Sequence, residues 1–294
     1  MNLPSWGPAV LDPHTEMPRC SGIGVRGEFC AGESLCYIHS MLTALTRQVS
    51  SALANCELSF ITRQPIDTEK ARAQHHAYEQ LLGELGARVI SLPEEPELPD
   101  SMFVEDPAIV LDQVAVICTL GTETRRKEAA SLATALEKYR TLAHIKLPGT
   151  LEGGDVLRIG KKIFVGLTKR TNAEGIRQLA VIVEKYGYEV TVIPVTGCLH
   201  LKSAVTYLGR NTLLANRAWF DARRLQAYEW VDVDPSEGHA ANALTISDAV
   251  VFPASFPKTR QKIEGAGFHV RTLDISELQK AESGLTCSSL LFEG

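Results

Sequence analysis

Asp155 to Val195 reads DVLRIGKKIFVGLTKRTNAEGIRQLAVIVEKYGYEVTVIPV, and the grammar of this stretch decides the fold. Two short apolar runs, DVLRIG and KIFVGL, are joined by a polar turn. The segment NAEGIRQLAVIVEKYG then carries apolar residues at helical spacing, and VTVIPV closes the unit. Short β-branched runs bounded by glycine and polar residues predict strands, and the 3.6-residue period between them predicts a helix.

The same order recurs on both sides. Upstream, AIVLD and VAVICTL precede the helical segment ETRRKEAASLATALEKY and the strand HIKL. Downstream, SAVTYL and TLLAN lead through a weaker helix near Asp221–Arg224 to WVDV, and NALTI and AVVFPA lead through KTRQKIEGAG to VRTLDI. A fifth copy combines the apolar run LSFI, the helix TEKARAQHHAYEQLLGELG, the strand RVISL and the closing strand SLLF. In that helix Asp67 is the candidate N-cap, and Gly86 supplies a left-handed stop. A unit of roughly 45 to 50 residues lies in the range of repeat architectures. An ordinary α/β sandwich shares the alternation of strand and helix, but near-even spacing favours a ring, in which strand ends from distant parts of the chain converge on one axial pocket.

Residues 1–55 differ from the rest: prolines and glycines crowd the first two dozen positions, and no period is sustained. They read as an irregular N-terminal extension, with 56–294 as a single α/β domain. Three of the seven cysteines, Cys20, Cys30 and Cys36, fall in the extension at separations that do not match the C-x-x-C knuckles of zinc sites. The scattered cysteines, the lack of a basic-then-apolar leader and the lack of long apolar runs point to a reducing cytoplasmic compartment. A formal net charge of −5 without a basic run gives no footprint for nucleic acid or an anionic membrane, so a small molecule is the expected partner.

Four segments place polar groups where the pattern expects burial. In DSMFVED, Glu105 and Asp106 follow an apolar pair and, on a strand, point to opposite faces; the bland alternative is a solvated strand end. In LEGGD, Glu152 precedes two glycines that allow close backbone approach or make a plain turn. His200 in LHLK is either a proton carrier or a satisfied core histidine. Cys287 in LTCSSL, read as part of the last strand, is either a small buried hydrophobe or a nucleophile. Together, a thiolate, an imidazole and several carboxylates are what hydrolysis of a guanidinium requires. The carboxylates hold the planar cation, the thiolate adds to its carbon, and the histidine protonates the departing amine and then activates water. The chemistry needs no cofactor and no metal, and the spacing of Gly149, Gly153 and Gly154 matches no nucleotide loop. A thiol beside an imidazole could still bind zinc adventitiously.

FVED, EGGD, RTNAEG, HLK and TCSSL, in this order, resemble the dimethylarginine dimethylaminohydrolase family of the guanidino-group-modifying (pentein) superfamily, and the likeness runs from about Cys56 to Phe292. The resemblance implies a five-bladed α/β propeller acting on Nω-methylated arginine to give citrulline and an amine. It implies Cys287 as nucleophile, His200 as general acid and base, Glu152 as the carboxylate orienting that histidine, and Asp106 gripping the guanidinium. Glu105 and Asp100 would line the pocket, Arg125 and Arg170 would bind the substrate carboxylate, Lys202 would follow the catalytic histidine, and Ser289 would flank the cysteine. In the family a glycine- and serine-containing lid joins the first strand to the first helix, whereas Arg63–Asp67 is expected here to make that connection without one. A homodimer is compatible with this reading.

Rivals on the same chemistry are an arginine deiminase, whose inserted helical bundle has no counterpart here, and an amidinotransferase, in which an amine replaces water. A rival of another class is a non-catalytic propeller used for binding. The joint presence of Cys287, His200 and Glu152 argues against it, since a binding surface needs no nucleophile paired with an acid and base.

Overall fold

The structure, a computed structural model, describes residues 41–294, which form one compact unit; the expectations for Cys20, Cys30, Cys36 and the rest of the extension up to residue 40 lie outside it. The first strand, β1 (Leu42–Arg47), is followed by helix α1 (Thr68–Glu84) and strand β2 (Arg88–Leu92). The second unit is β3 (Ala108–Val110), β4 (Val114–Ile117), α2 (Glu128–Leu136) and β5 (Thr141–His144). The third is β6 (Val156–Ile159), β7 (Lys162–Leu167), α3 (Ala173–Glu184) and β8 (Glu189–Pro194). A short helix α4 (Leu201–Ala204) opens the fourth, with β9 (Val205–Gly209), β10 (Thr212–Ala215), a 3₁₀ turn at Ala222–Leu225 and β11 (Glu229–Asp232). The fifth has β12 (Leu244–Ile246), β13 (Ala249–Pro253), α5 (Pro257–Gly265) and β14 (His269–Leu273). Helix α6 (Ser276–Gln279) and strand β15 (Leu290–Glu293) end the chain.

Each blade is a three-stranded sheet with one plan: an antiparallel hairpin, then a parallel outer strand reached through the helix. The first blade is assembled from both ends of the domain, because β15 pairs antiparallel with β1 and β2 pairs parallel with it. This closes the ring and leaves five blades, the five-bladed α/β propeller that the resemblance implied.

The core explains why the ring is stable. It consists of five apolar clusters, and each joins two neighbouring blades: Leu45 and Leu290 meet Ala108 and Ala115 in one, and Ile109 and Val114 meet Val156 and Ile163 in the next. The middle strand β7 shows how its sequence serves this. Ile163 and Val165 enter the cluster shared with the second blade while Phe164 enters the one shared with the fourth, so a strand buried on both faces reads as a continuous apolar run.

Two expectations need correction. The domain does not start at Cys56: β1 lies fourteen residues upstream of it, inside what reads as irregular extension. Its sequence LTALTR hides it, because Thr43, Thr46 and Arg47 are buried polar residues that break the apolar pattern. Their partners compensate: the Thr46 hydroxyl donates to Glu79 at 2.6 Å, and Arg47 donates to the Pro93 carbonyl at 3.0 Å and to Ser131 at 2.7 Å. Consequently LSFI is not a strand, and the connection from β1 to α1 is not a short link at Arg63–Asp67 but the twenty residues from Gln48 to Asp67. A third difference is smaller. The outer strand of the second blade is Thr141–His144 rather than HIKL, since Val114 to Ile117 pair with those four residues. Asp67 does cap α1, accepting from the Lys70 amide at 3.0 Å, and Gly86 has φ of +93°. Among the described residues no helix is long and apolar enough to cross a membrane.

Candidate active site

The inner strands β3, β6, β9, β12 and β15 all contribute to the wall of an axial cavity of about 400 Å³. The segments that carry the polar residues sit at strand ends and turns close to the axis, where three or four residues can be placed without regular structure. FVED is a turn before β3 and not a strand, yet it sends its two carboxylates to different partners. Asp106 accepts from Arg125 at 2.9 Å and from the Gly154 amide at 3.2 Å. Glu105 takes the Lys202 ammonium on one oxygen and the Thr286 hydroxyl, at 2.8 Å, on the other.

Glu152 is fully buried just before a 3₁₀ turn at Gly153–Asp155. The two glycines are required by crowding: a Cβ on Gly153 would meet the Glu105 carbonyl at 1.9 Å, and one on Gly154 would meet His200 Nδ1 at 2.5 Å. The approach they permit is thus of this backbone to the Glu105 main chain and to the His200 and Asp106 side chains. His200 is the extended residue preceding α4. Its Nε2 lies 2.7 Å from Glu152 Oε2, and its Nδ1 lies 3.8 Å from Asp106 Oδ1. Cys287 belongs not to the last strand but to a 3₁₀ turn, Thr286–Ser288, just before β15. The turn leaves Cys287 half-buried, directs the Gly284 amide at Sγ from 3.4 Å, and presents the Cys287 carbonyl to the Glu105 amide at 3.2 Å.

Charge in this cluster is strongly redistributed. Burial works against the imidazolium of His200, but Asp106, Asp155 and Glu152 outweigh it and hold its pKa up at about 9. Burial likewise opposes the Glu152 carboxylate, yet its hydrogen bond with His200 brings it down to about 2. The pair is therefore a buried ion pair at neutral pH. Cys287 goes the other way: desolvation, then the charges of Glu105 and Asp106, push its thiol up to about 12. Cys287 therefore rests as a thiol in the pocket that it shares with the His200 imidazolium.

Asp106, His200, Cys287, Asp100, Arg125 and Arg170 line one small pocket, and Glu152 stands behind it, reaching Arg170 at 3.4 Å. Of the neighbouring arginines, Arg125 is the one turned inward; its fork grips Glu128 at 3.0 and 2.9 Å, while Arg126 donates to the Leu120 carbonyl at 3.1 Å. Glu105, Lys202 and Ser289 do not line this pocket. They line the axial cavity on the other side of the Glu105–Thr286 contact, and Ser289 shares a 2.7 Å hydrogen bond with Tyr78. Asp106, Glu152 and His200 also bring three ligand atoms within 4.8 Å of one another, a donor set compact enough for an ion.

The pocket holds only about 20 Å³, room for roughly one water, because the β1–α1 connection is drawn across it. The Glu57 amide donates to Asp100 at 3.1 Å, Arg170 donates to the Ser59 hydroxyl at 3.1 Å, and Glu282 accepts from three successive amides, Ser59 at 2.9 Å, Phe60, and Ile61 at 2.7 Å. Glu282 itself sits at φ of +56°, unusual for a side chain of its size. Sequence reasoning missed Glu57, Ser59 and Glu282. Two of them act through main-chain amides, which leave no mark in a sequence, and the single hint, LSFI, reads as a strand.

A five-bladed propeller of the pentein type with a thiol, an imidazole and carboxylates at its axis defines the class. The sequence model of eukaryotic N,N-dimethylarginine dimethylhydrolases matches residues 50–215. The N(G),N(G)-dimethylarginine dimethylaminohydrolase of Pseudomonas aeruginosa is 36% identical over 228 residues, covering 77% of this chain and 90% of that one. The enzyme of the same name from Streptomyces coelicolor is 36% identical over 248 residues, covering 84% and 95%. A solved structure of the Pseudomonas aeruginosa enzyme, a cysteine-to-serine variant complexed with citrulline, superposes with a TM-score of 0.82 at 33% identity over 86% of this chain and all of that one. The chain belongs to the dimethylarginine dimethylaminohydrolase family.

Proposed function

We propose that the protein hydrolyses Nω-methylated arginine to citrulline and methylamine or dimethylamine through a covalent intermediate on Cys287. The observation that carries this reading is the arrangement of a thiol, a Glu152–His200 ion pair at 2.7 Å and the Asp106 carboxylate around one pocket. Asp106 offers carboxylate oxygens to the planar cation while Glu152, behind it, orients His200; Arg125 and Arg170 hold the substrate carboxylate, and Asp100 holds its ammonium. For the last two contacts the substrate takes the place of Ser59 on Arg170 and of the Glu57 amide on Asp100, so the strap opens for entry.

Burial and the charges of Glu105 and Asp106 hold the thiol protonated; a bound cation offsets those charges, so the thiol releases its proton to solvent and the thiolate forms once substrate is present. Sulfur adds to the guanidinium carbon. The His200 imidazolium protonates the methylated nitrogen, the C–N bond breaks and the amine departs, leaving an S-linked thiouronium. The now neutral imidazole takes a proton from water, whose oxygen adds to the same carbon; the C–S bond then breaks as the remaining hydroxyl proton passes to the sulfur, releasing citrulline and restoring the Cys287 thiol. The charges of Asp106, Asp155 and Glu152 together keep His200 an imidazolium for the first half.

Purified protein offered dimethylarginine, monomethylarginine and arginine separately should release citrulline from the methylated compounds, and Cys287→Ala should release none. Turnover of arginine alone would replace this reading with a deiminase. Citrulline production by Cys287→Ala would remove the covalent mechanism.

A further inference from the structure

Beside the reaction pocket lies a second, larger cavity of about 310 Å³. It shares Leu199, Glu282 and Ser283 with the reaction pocket and is walled by Phe60, Ile61 and Phe256. Two of its residues adjoin the reacting groups. Leu199 is the chain neighbour of His200, and Gly284, whose amide is 3.4 Å from Cys287 Sγ, forms part of its wall. Any bulk on the nitrogen that leaves must be close to the sulfur, which bonds the adjacent carbon, and to His200, which protonates that nitrogen. This cavity adjoins both, reaching the sulfur through Gly284 and the imidazole through Leu199. Its volume lies within the range of small-molecule sites and far exceeds what methyl groups fill.

We propose that this cavity is a leaving-amine subsite, and that the enzyme cleaves Nω-arginines carrying bulky apolar substituents such as aralkyl groups, releasing the corresponding primary amine and citrulline. This rests on the methylarginine reading of the same site. The bonds made and broken are those of the methylated substrate; only the departing amine differs. The polar lining includes Gln279, which is on α6 and hydrogen-bonds Ser255 at 3.0 Å, and His239, whose ring is tilted at 59° to that of Trp219.

The test compares kcat/KM for Nω-methylarginine and Nω-benzylarginine in the wild type and in Gln279→Trp, which fills the cavity. The benzyl compound should be processed within about tenfold of the methyl compound. Gln279→Trp should lower benzyl turnover at least about tenfold while methyl turnover stays within about twofold. Where Gln279→Trp fails to fold, Ser203→Leu fills the cavity from another wall and is held to the same two outcomes. Methyl turnover with benzyl turnover more than about tenfold lower would overturn the subsite alone, as would equal loss of both substrates in the filled variant. Absence of methyl turnover would instead overturn the reading it rests on.

Discussion

Glu105 and Asp106 are neighbours in sequence and nearly equally buried, yet they line two different cavities. Asp106 faces the pocket with Cys287 and His200, held by Arg125 and the Gly154 amide with the His200 imidazole 3.8 Å away. Glu105 faces the larger axial cavity, and both its oxygens are consumed by Lys202 and Thr286. The difference separates chemistry from support. The Glu105 amide holds the Cys287 carbonyl and its side chain holds Thr286, so it fixes the turn that carries the thiol without entering the pocket. Asn242 completes that fixation, accepting from the Thr286 amide at 3.1 Å and donating to its hydroxyl at 3.0 Å.

The comparison is broken most severely on the reactive side. Glu152→Gln should lower kcat by about 10²–10⁴-fold, the usual worth of a positioned acid–base group, because His200 loses the partner that keeps it protonated; steady-state kinetics on methylarginine checks this, and a loss below tenfold would detach Glu152 from the chemistry. On the supporting side the effect should fall on stability. Lys202→Met leaves the Glu105 carboxylate buried with only a hydroxyl partner and should cost about 3–5 kcal/mol in urea unfolding. A variant of unchanged stability but lost activity would move Lys202 into the reactive set.

The two sides should also differ in pH dependence. His200 is raised from 6.5 to about 9, so its contribution to stability is complete below 6.5 and is lost as pH rises through about 9. Glu152 is lowered from 4.5 to about 2, so its contribution is present above 4.5 and is lost as pH falls through about 2. The stability gap between wild type and His200→Ala should therefore narrow between pH 7 and 10, measured by denaturation at each pH; a gap independent of pH over that window would contradict the ion pair. The smallest effect concerns the strap. Glu282→Gln weakens charge-assisted bonds to three exposed amides and should cost about 1 kcal/mol or less, while making the amides of residues 59–61 exchange faster in deuterium.

Legibility followed burial and length. The third blade was readable because α3 shows one apolar face and β7 is a long apolar run with glycine at its ends. Strand β1 was not, since buried threonines and an arginine mimic a polar segment, and losing it displaced both the domain boundary and the covering segment. Cys287, His200 and Glu152 were recognisable by residue type and order, but their local structures were not: a turn of three residues has no period to detect. The assignment of Glu105, Lys202 and Ser289 to the substrate pocket failed for a related reason. Residues adjacent in a motif share a turn, and a turn can send neighbouring side chains to opposite sides of a wall.

The central claim, covalent catalysis by Cys287, is tested most directly by quenching the protein in acid during turnover of dimethylarginine and weighing it intact and after proteolysis. The account predicts a transient gain equal to the substrate less dimethylamine, confined to the peptide containing Cys287 and lost as citrulline forms. Steady turnover with unmodified protein at every quench time, or an adduct on Cys198 instead, would contradict it.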